Sequence, residues 1–341
     1  MRMTITDVAR EAGVSTATVD RVINRRAGVR ALTRTRVMSA AQRLGYLEPE
    51  RQADAAPHAP VRLAFVIPGG TNAFLAHLAS QLAEAARRRA PEAVVQVHRM
   101  EAFDPQGMAE GLCRLAASAQ GIGIVGLDHP AMREAIRQAA AAGARVLTLV
   151  SDIADVPRVG YVGIDNRAAG RLAGHLLGRF TAGRGGKVAL LAGSLSYRGH
   201  EEREMGFRGI LAEEAPGLAV LDSREVRDDS GESHLAAAAL LRAHPDLAGI
   251  YNIGGGNRGI VRALEEAGRI GRVVLIGHEL TEYTRRFLLS GAMEAVIDQA
   301  PRQEAELAID RLIEAVRAEA MALRIPLVRT QVIFRENMPE A

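Results

Sequence analysis

Residues 4–24, TITDVAREAGVSTATVDRVIN, carry side chains suited to gripping a DNA duplex. Arg21 has the forked guanidinium that meets guanine O6 and N7, and Thr16 and Ala17 suit base edges or a thymine methyl. Thr4, Ser15, Asn24, Arg30 and Thr33 offer hydroxyls, an amide and a guanidinium for phosphates, contacts that set register without reading sequence. Farther on, Gly254-Gly255-Gly256-Asn257-Arg258-Gly259 fits G-x-G-x-x-G between an apolar run and a helical one, with Glu279 20 residues past Gly259. That outline suits a dinucleotide, the glycines on a pyrophosphate and the acid on a ribose, and would make the body an NAD-binding oxidoreductase. Two features weigh against this alternative. The fingerprint belongs on the first strand of its lobe, whereas several units precede Gly254, and a glycine turn hugging any ligand explains it equally well. No catalytic set accompanies it: His278-Glu279-Leu280 is not H-E-x-x-H, and there is no Gly-x-Ser-x-Gly. The single cysteine, Cys113, sits in an apolar helical pattern. No enzyme activity, cofactor or metal is therefore expected.

The elements that must position the first set are short helices. Thr4 can cap one whose apolar face is Ile5, Val8, Ala9 and Ala12; Gly13 ends it, and Ser15 caps a second that buries Val19, Val22 and Ile23. A three-residue turn between them is helix-turn-helix spacing. A third amphipathic stretch, 33–44, turns Val37, Ala40, Ala41 and Leu44 inward, with Gly45 ending it and Tyr46 packing beneath. Residues 1–47 hold nine arginines against Asp7, Glu11 and Asp20, while the remainder is slightly acidic. A basic head on an acidic body is the footprint of a nucleic-acid reader with a separate second function.

Residues 48–60, EPERQADAAPHAP, read as a linker. From 61 to 341 apolar strands, such as RLAFVIP (62–68), ARVLTLV (144–150), LAVLDSREV (218–226) and EAVID (294–298), alternate with helices. The pattern predicts an α/β fold of parallel sheets covered on both faces, and the length predicts two lobes. Ligands of such sheets bind beyond the carboxyl ends of the strands. That rule collects Asn72, Phe74, Asp128, Tyr197, Arg203, Asn252, Asn257, His278, Glu279 and Gln299. Alternating donors and acceptors, with rings from Phe74, Phe103, Tyr197 or Tyr251, suit a polyhydroxylated ligand. Composition is 48% hydrophobic and 24% charged. No apolar run reaches the ~18–20 residues a bilayer needs, and the start lacks a signal-peptide core. A cytoplasmic protein without a membrane partner is expected.

The run T-I-x-D-V-A-R-x-A-G-V-S-x-A-T-V-x-R-V-I-N, then V-R-A-L-T-R-x-R-V and L-G-Y, resembles the head of the lactose-repressor (LacI/GalR) family. The body is similar to that family's effector domain, a type I periplasmic-binding-protein fold, at I-P-G-G-T-N-x-F (67–74), G-Y-V-G-I-D-N-x-x-A-G (160–170), R-x-x-G-F (203–207), G-H-E (277–279) and D-Q (298–299). The resemblance implies a transcriptional repressor, working as a homodimer on near-palindromic double-stranded operator DNA, with Thr16, Ala17 and Arg21 reading bases. It implies two Rossmann-like lobes, about 61–163 with 294–323 and 164–293 with 324–341, and a sugar or polyol effector whose hydroxyls meet Asp128, Arg203, Glu279 and Gln299. The chain departs from the pattern at Asp20, where serine is usual, and in the hinge, where Glu50, Asp54 and Ala56 stand for Asn, Arg and Leu. Acids face phosphates badly and alanine is a poor minor-groove wedge, so the operator is expected to be bent less than by relatives with the usual hinge helix.

Overall fold

The computed structural model describes residues 4–24, 29, 31–44, 46, 59–181 and 185–340. Arg30, Glu50, Asp54, Ala56 and most of the linker lie outside the described residues. The chain divides into two compact units, Met1–Ala59 and Pro60–Ala341.

In the first unit α1 (Ile5–Ala12), α2 (Thr16–Ile23) and α3 (Ala31–Arg43) enclose a core of valines and alanines. The ends are held by local chemistry. Asp7 accepts from the Thr4 backbone N–H at 2.9 Å and from its hydroxyl at 2.6 Å, tying the cap residue to the first turn. Gly13 ends α1 at φ +61°, a left-handed turn that favours glycine. Ser15 Oγ then accepts from the Thr18 N–H at 3.3 Å and caps α2. Val8, Val19, Val22 and Val37 are buried, whereas Ile5, Ile23 and Leu44 only rim this core.

The second unit opens with β1 (Val61–Pro68), α4 (Ala73–Arg89), β2 (Ala93–Met100), α5 (Pro105–Ala116), β3 (Gly121–Ile124), α6 (Pro130–Ala141), β4 (Arg145–Leu149) and β5 (Gly160–Val162). Their strands form a parallel sheet in the order β2-β1-β3-β4-β5. The chain then crosses to α7 (Asn166–Phe180), β6 (Gly186–Ala192), α8 (Arg198–Glu214), β7 (Leu218–Val220), β8 (Arg224–Glu225) and α9 (Ser230–Ala243). It continues through β9 (Leu247–Asn252), α10 (Asn257–Glu266), β10 (Val274–His278), α11 (Glu282–Ser290) and β11 (Ala295–Asp298). Next, α12 (Pro301–Arg317) returns to pack on the first sheet, and β12 (Gln331–Ile333) closes the second. The second sheet runs β12-β11-β10-β9-β6-β7, with β8 also on β6; only β12 is antiparallel.

Two expected features fall elsewhere. The second crossing comes at Gln299–Ala300 rather than near 293, because Ala295, Val296 and Ile297 pair with β10 and are buried in the second sheet. The third comes near 328 rather than 324: Leu323 N–H still bonds Val159 O, and Val328 N–H bonds Gly163 O at the first crossing. The expected strand 218–226 is also split into β7 and β8, after which Arg227 and Asp228 take left-handed conformations.

One apolar layer runs through both lobes, from Phe65 and Leu78 to Phe207 and Tyr251. Outer layers cover the other faces, with Met108 and Ile136 on the first sheet and Leu240, Ile260 and Leu288 on the second. Each large side chain buried contributes roughly 1.5–3 kcal/mol, so the sheets are rigid frames and the strand-end loops are left to carry function.

Candidate functional site

On the head, Thr16, Ala17 and Arg21 are exposed on α2, away from buried Val19 and Val22. Thr4, Ser15 and Asn24 are also exposed, but each already has a partner. Thr4 holds Asp7, Ser15 caps its helix, and the Asn24 amide donates to Asp20 Oδ1 at 2.7 Å. Asp20 thus takes up a donor expected on a phosphate. Thr33 is half-buried in the first turn of α3.

In the second unit a cavity of about 230 Å³ lies between the lobes, beyond the carboxyl ends of β1, β6, β9, β10 and β11. Asn72, Phe74, Tyr197, Arg203, Asn257, His278, Glu279 and Gln299 line it. On the first lobe Asn72 caps α4, its Oδ1 accepting from the Phe74 and Leu75 N–H groups at 3.0 and 3.3 Å. Its Nδ2 reaches the second lobe and donates to Asp228 Oδ2 at 2.8 Å, while Asp228 Oδ1 accepts from the Gly255 N–H at 2.6 Å. One carboxylate therefore joins the β1–α4 turn to the glycine turn after β9. Beside it, the Tyr197 ring meets Phe103 of the first lobe edge-on at 5.9 Å, and Arg227 lies over that Phe103 ring at 5.1 Å. The Tyr197 hydroxyl is buried without a partner. Burial pushes its pKa up, so it remains a hydroxyl able to exchange hydrogen bonds with a ligand.

Arg203 is placed by close helix packing. A Cβ at Gly170 of α7 would stand 1.9 Å from the Arg203 carbonyl oxygen, so only glycine allows α8 this approach. The guanidinium donates from Nε to Asn166 Oδ1 at 2.8 Å, from Nη1 to Ile253 O at 3.0 Å and from Nη2 to Gln299 Oε1 at 2.6 Å. Because a guanidinium only donates, Gln299 must turn its oxygen to Arg203, and its Nε2 then donates to Glu279 Oε1. Gln299 thus relays between a cation and a carboxyl where the chain leaves the second lobe.

The carboxyl is held mostly protonated at neutral pH. Burial, then nearby Asp298, pushes Glu279 up to about 8, and the Gln299 bond and Arg203 pull it back only in part. Glu304 is fully buried with neither carboxyl oxygen partnered, and burial holds it well above its ordinary value. Burial likewise keeps His278 neutral, with its Nε2 2.8 Å from the Tyr251 hydroxyl, and lowers His200 to about 4.

Two expected residues do not line the cavity. Asp128 accepts a fork from Arg133, at 2.6 and 2.9 Å, and its N–H donates to Ser196 O at 2.9 Å. Fully buried Asn252 builds the glycine turn instead, donating to Gly255 O and Asn257 Oδ1 at 2.8 Å each. Of the rings, Phe103 backs Tyr197, and Tyr251 lies behind His278, stacked on Phe207 at 4.8 Å. The dinucleotide alternative finds no support. β9 is not the first strand of its lobe, and a Cβ at Gly259 would stand 1.9 Å from Ser230 O, so this glycine serves helix packing. Glu279, neutral and bonded to Gln299, is no ribose-reading carboxylate.

Thr71, Ser151, His200, Asp228, Arg258 and Tyr283 also line the cavity, unanticipated. Asp228 was within reach of the strand-end rule, since it stands two residues past the expected strand 218–226. Among the described residues no cluster of three or more His, Cys, Asp or Glu could hold a metal ion. No helix among them is long and apolar enough to cross a membrane.

Residues 4–48 match the profile of bacterial regulatory proteins of the lacI family, and residues 63–320 match that of a periplasmic binding protein domain. The lactose operon repressor of Escherichia coli is 24% identical over 355 residues, covering 99% of this chain and 93% of that protein. A D-ribose/D-allose-binding protein of Pseudomonas aeruginosa is 24% identical over 202 residues, 56% of this chain, and the chain spans 61% of that relative's length. A glucose-galactose binding protein from Geobacillus stearothermophilus shares the fold, with a TM-score of 0.75, 23% identity and coverage of 82% of this chain and 99% of that one. The helix-turn-helix head and the two-lobed body together place the chain in the lacI family of bacterial regulatory proteins, as a DNA-binding regulator built on a periplasmic binding protein domain.

Proposed function

We propose that this regulator is a cytoplasmic homodimeric repressor of a near-palindromic operator, and that a sugar or polyol between its lobes controls operator affinity. The observation that carries the reading is the cavity: Arg203, Gln299, a neutral Glu279 and the unpartnered Tyr197 hydroxyl offer both donors and acceptors beside the Phe74 ring. Relatives named for binding ribose, allose, glucose and galactose support the ligand class. In this reading residues 1–47 are the head and 61–341 the effector domain. Thr16, Ala17 and Arg21 read bases, and Thr4, Ser15, Asn24, Arg30 and Thr33 hold phosphates, with Asn24 first giving up Asp20. Asn72, Phe74, Tyr197, Arg203, Asn257, His278, Glu279 and Gln299 face the effector, and Asn252 supports them. A ligand that prefers one lobe arrangement shifts the population toward it, and that differential affinity is all the work available to the switch. A thermal-shift screen of sugars and polyols tests the proposal, because a ligand at 100 times its Kd adds about 2.7 kcal/mol of stability. Each hit is then titrated against operator binding. The reading stands if a hit changes operator affinity and falls if no sugar or polyol does.

A further inference from the structure

The groups around the cavity leave one charge unanswered. Arg203 is 3% exposed, yet its partners Asn166, Ile253 and Gln299 present only neutral oxygens. Buried arginines are ordinarily paired with an anion. Three of its five N–H groups are used, and two remain. Of the acids that could answer it, Glu304 is buried near enough to feel the guanidinium but makes no hydrogen bond to it, and burial holds its pKa well above the ordinary value. The others are engaged elsewhere. Asp128 is bound by Arg133 outside the lining, and Glu279 faces Arg203 only through the Gln299 amide. Asp228 and Asp229 line the cavity, but Asp228 is held by Gly255 and Asn72, and Asp229 caps α9 through Gly231 and Glu232. At the rim a second cation, Arg258, lies over the Tyr283 ring at 4.4 Å with no ion pair among the described residues.

We propose that the ligand is a sugar acid, whose carboxylate takes the two remaining Arg203 N–H groups while its hydroxyls meet Glu279 and the Tyr197 hydroxyl. The proposal rests on the reading of the cavity as a sugar site and narrows it. A planar carboxylate matches a guanidinium fork, and one negative charge matches one cation. A phosphate would bring nearly two charges into a lining that already holds Asp228 and Asp229. The neutral state of Glu279 supports the same choice, because a protonated acid donates to a hydroxyl and does not repel the incoming anion. A cavity of about 230 Å³ suits a ligand of monosaccharide size.

Calorimetry on the full chain tests this with matched probes: hexuronates and aldonates, their neutral parent sugars, and the corresponding sugar phosphates. One acid is expected to bind about tenfold or more tighter than its neutral parent, the scale of one charge-assisted hydrogen bond. Arg203→Gln removes the charge and should abolish that preference, whereas Arg203→Lys keeps the charge and should retain part of it. If neither variant folds, the comparison of acid with parent in the natural chain decides alone. A neutral parent that binds as tightly as its acid overturns the inference and leaves the sugar-site reading standing. A preferred phosphate overturns it too. Binding by none of the probes overturns both.

Discussion

Replacing Glu279 by glutamine should make the protein more stable at alkaline pH and leave it unchanged in acid. In the folded chain this buried carboxyl keeps its proton up to about 8, against an ordinary value of 4.5. Between those values the unfolded state binds fewer protons, so stability falls as pH rises. The contribution is whole below pH 4.5, is lost progressively up to about 8, and is level beyond. At about 1.4 kcal/mol per pH unit the gap bounds the loss at roughly 5 kcal/mol, a ceiling because protein interiors respond to charge more than dry protein would. A glutamine keeps an oxygen for the Gln299 Nε2 and never ionises. Urea unfolding of both proteins across this range should give curves that coincide within about 1 kcal/mol in acid and separate by several kcal/mol near pH 9. Glu294, raised to about 7, and Glu304 slope both curves and largely cancel in the difference. Equal slopes in the two proteins would refute the claim that Glu279 is held neutral.

Three further outcomes follow from named contacts. Arg21→Ala should cost about 1–3 kcal/mol on the cognate operator and relax the preference for one base pair per half-site; equal loss on random DNA would show that Arg21 reads no base. Asp228→Ala strips the acceptor shared by Asn72 and Gly255, so effector affinity should fall ten- to a hundredfold, the scale of about 1.5–3 kcal/mol, and an unaltered calorimetric Kd would exclude a clasp between the lobes. Gly170→Ala drives a Cβ into the Arg203 carbonyl, forces α7 from α8 and should cost about 1–3 kcal/mol; a melting temperature equal to the natural chain's would mean the helices do not approach as described.

Much of the head was legible because its signals are local, although Ile5, Ile23 and Leu44 only rim the core they were expected to fill. A cap at Ser15, a left-handed glycine at 13 and valines at helical spacing each act within one turn, and all appear where the spacing puts them. The lobes were legible for a similar reason. Apolar runs between helical stretches predict parallel strands, and the carboxyl ends of those strands predict where a cavity lies. Even so, local reading misjudged Asp128, which a guanidinium five residues later captures, and it missed Asp228, whose partners Asn72 and Gly255 lie on different lobes.

What the sequence alone determined is most of the elements and the class of fold; the short strand β5 and the break between β7 and β8 were not legible in it. Tertiary structure decided where the chain crosses between lobes, since only pairing with β10 assigns 294–298 to the second sheet. It also decided the chemistry of the cavity. Arg203 and Gln299 stand 96 residues apart, Gln299 and Glu279 stand 20 apart, and only folding brings them into one relay. Whether Glu279 carries a charge, and whether Arg203 has an answering anion, depends on burial and on partners distant in the chain. No pattern of neighbours along the sequence encodes either, because the energy of a charge is set by the medium around it.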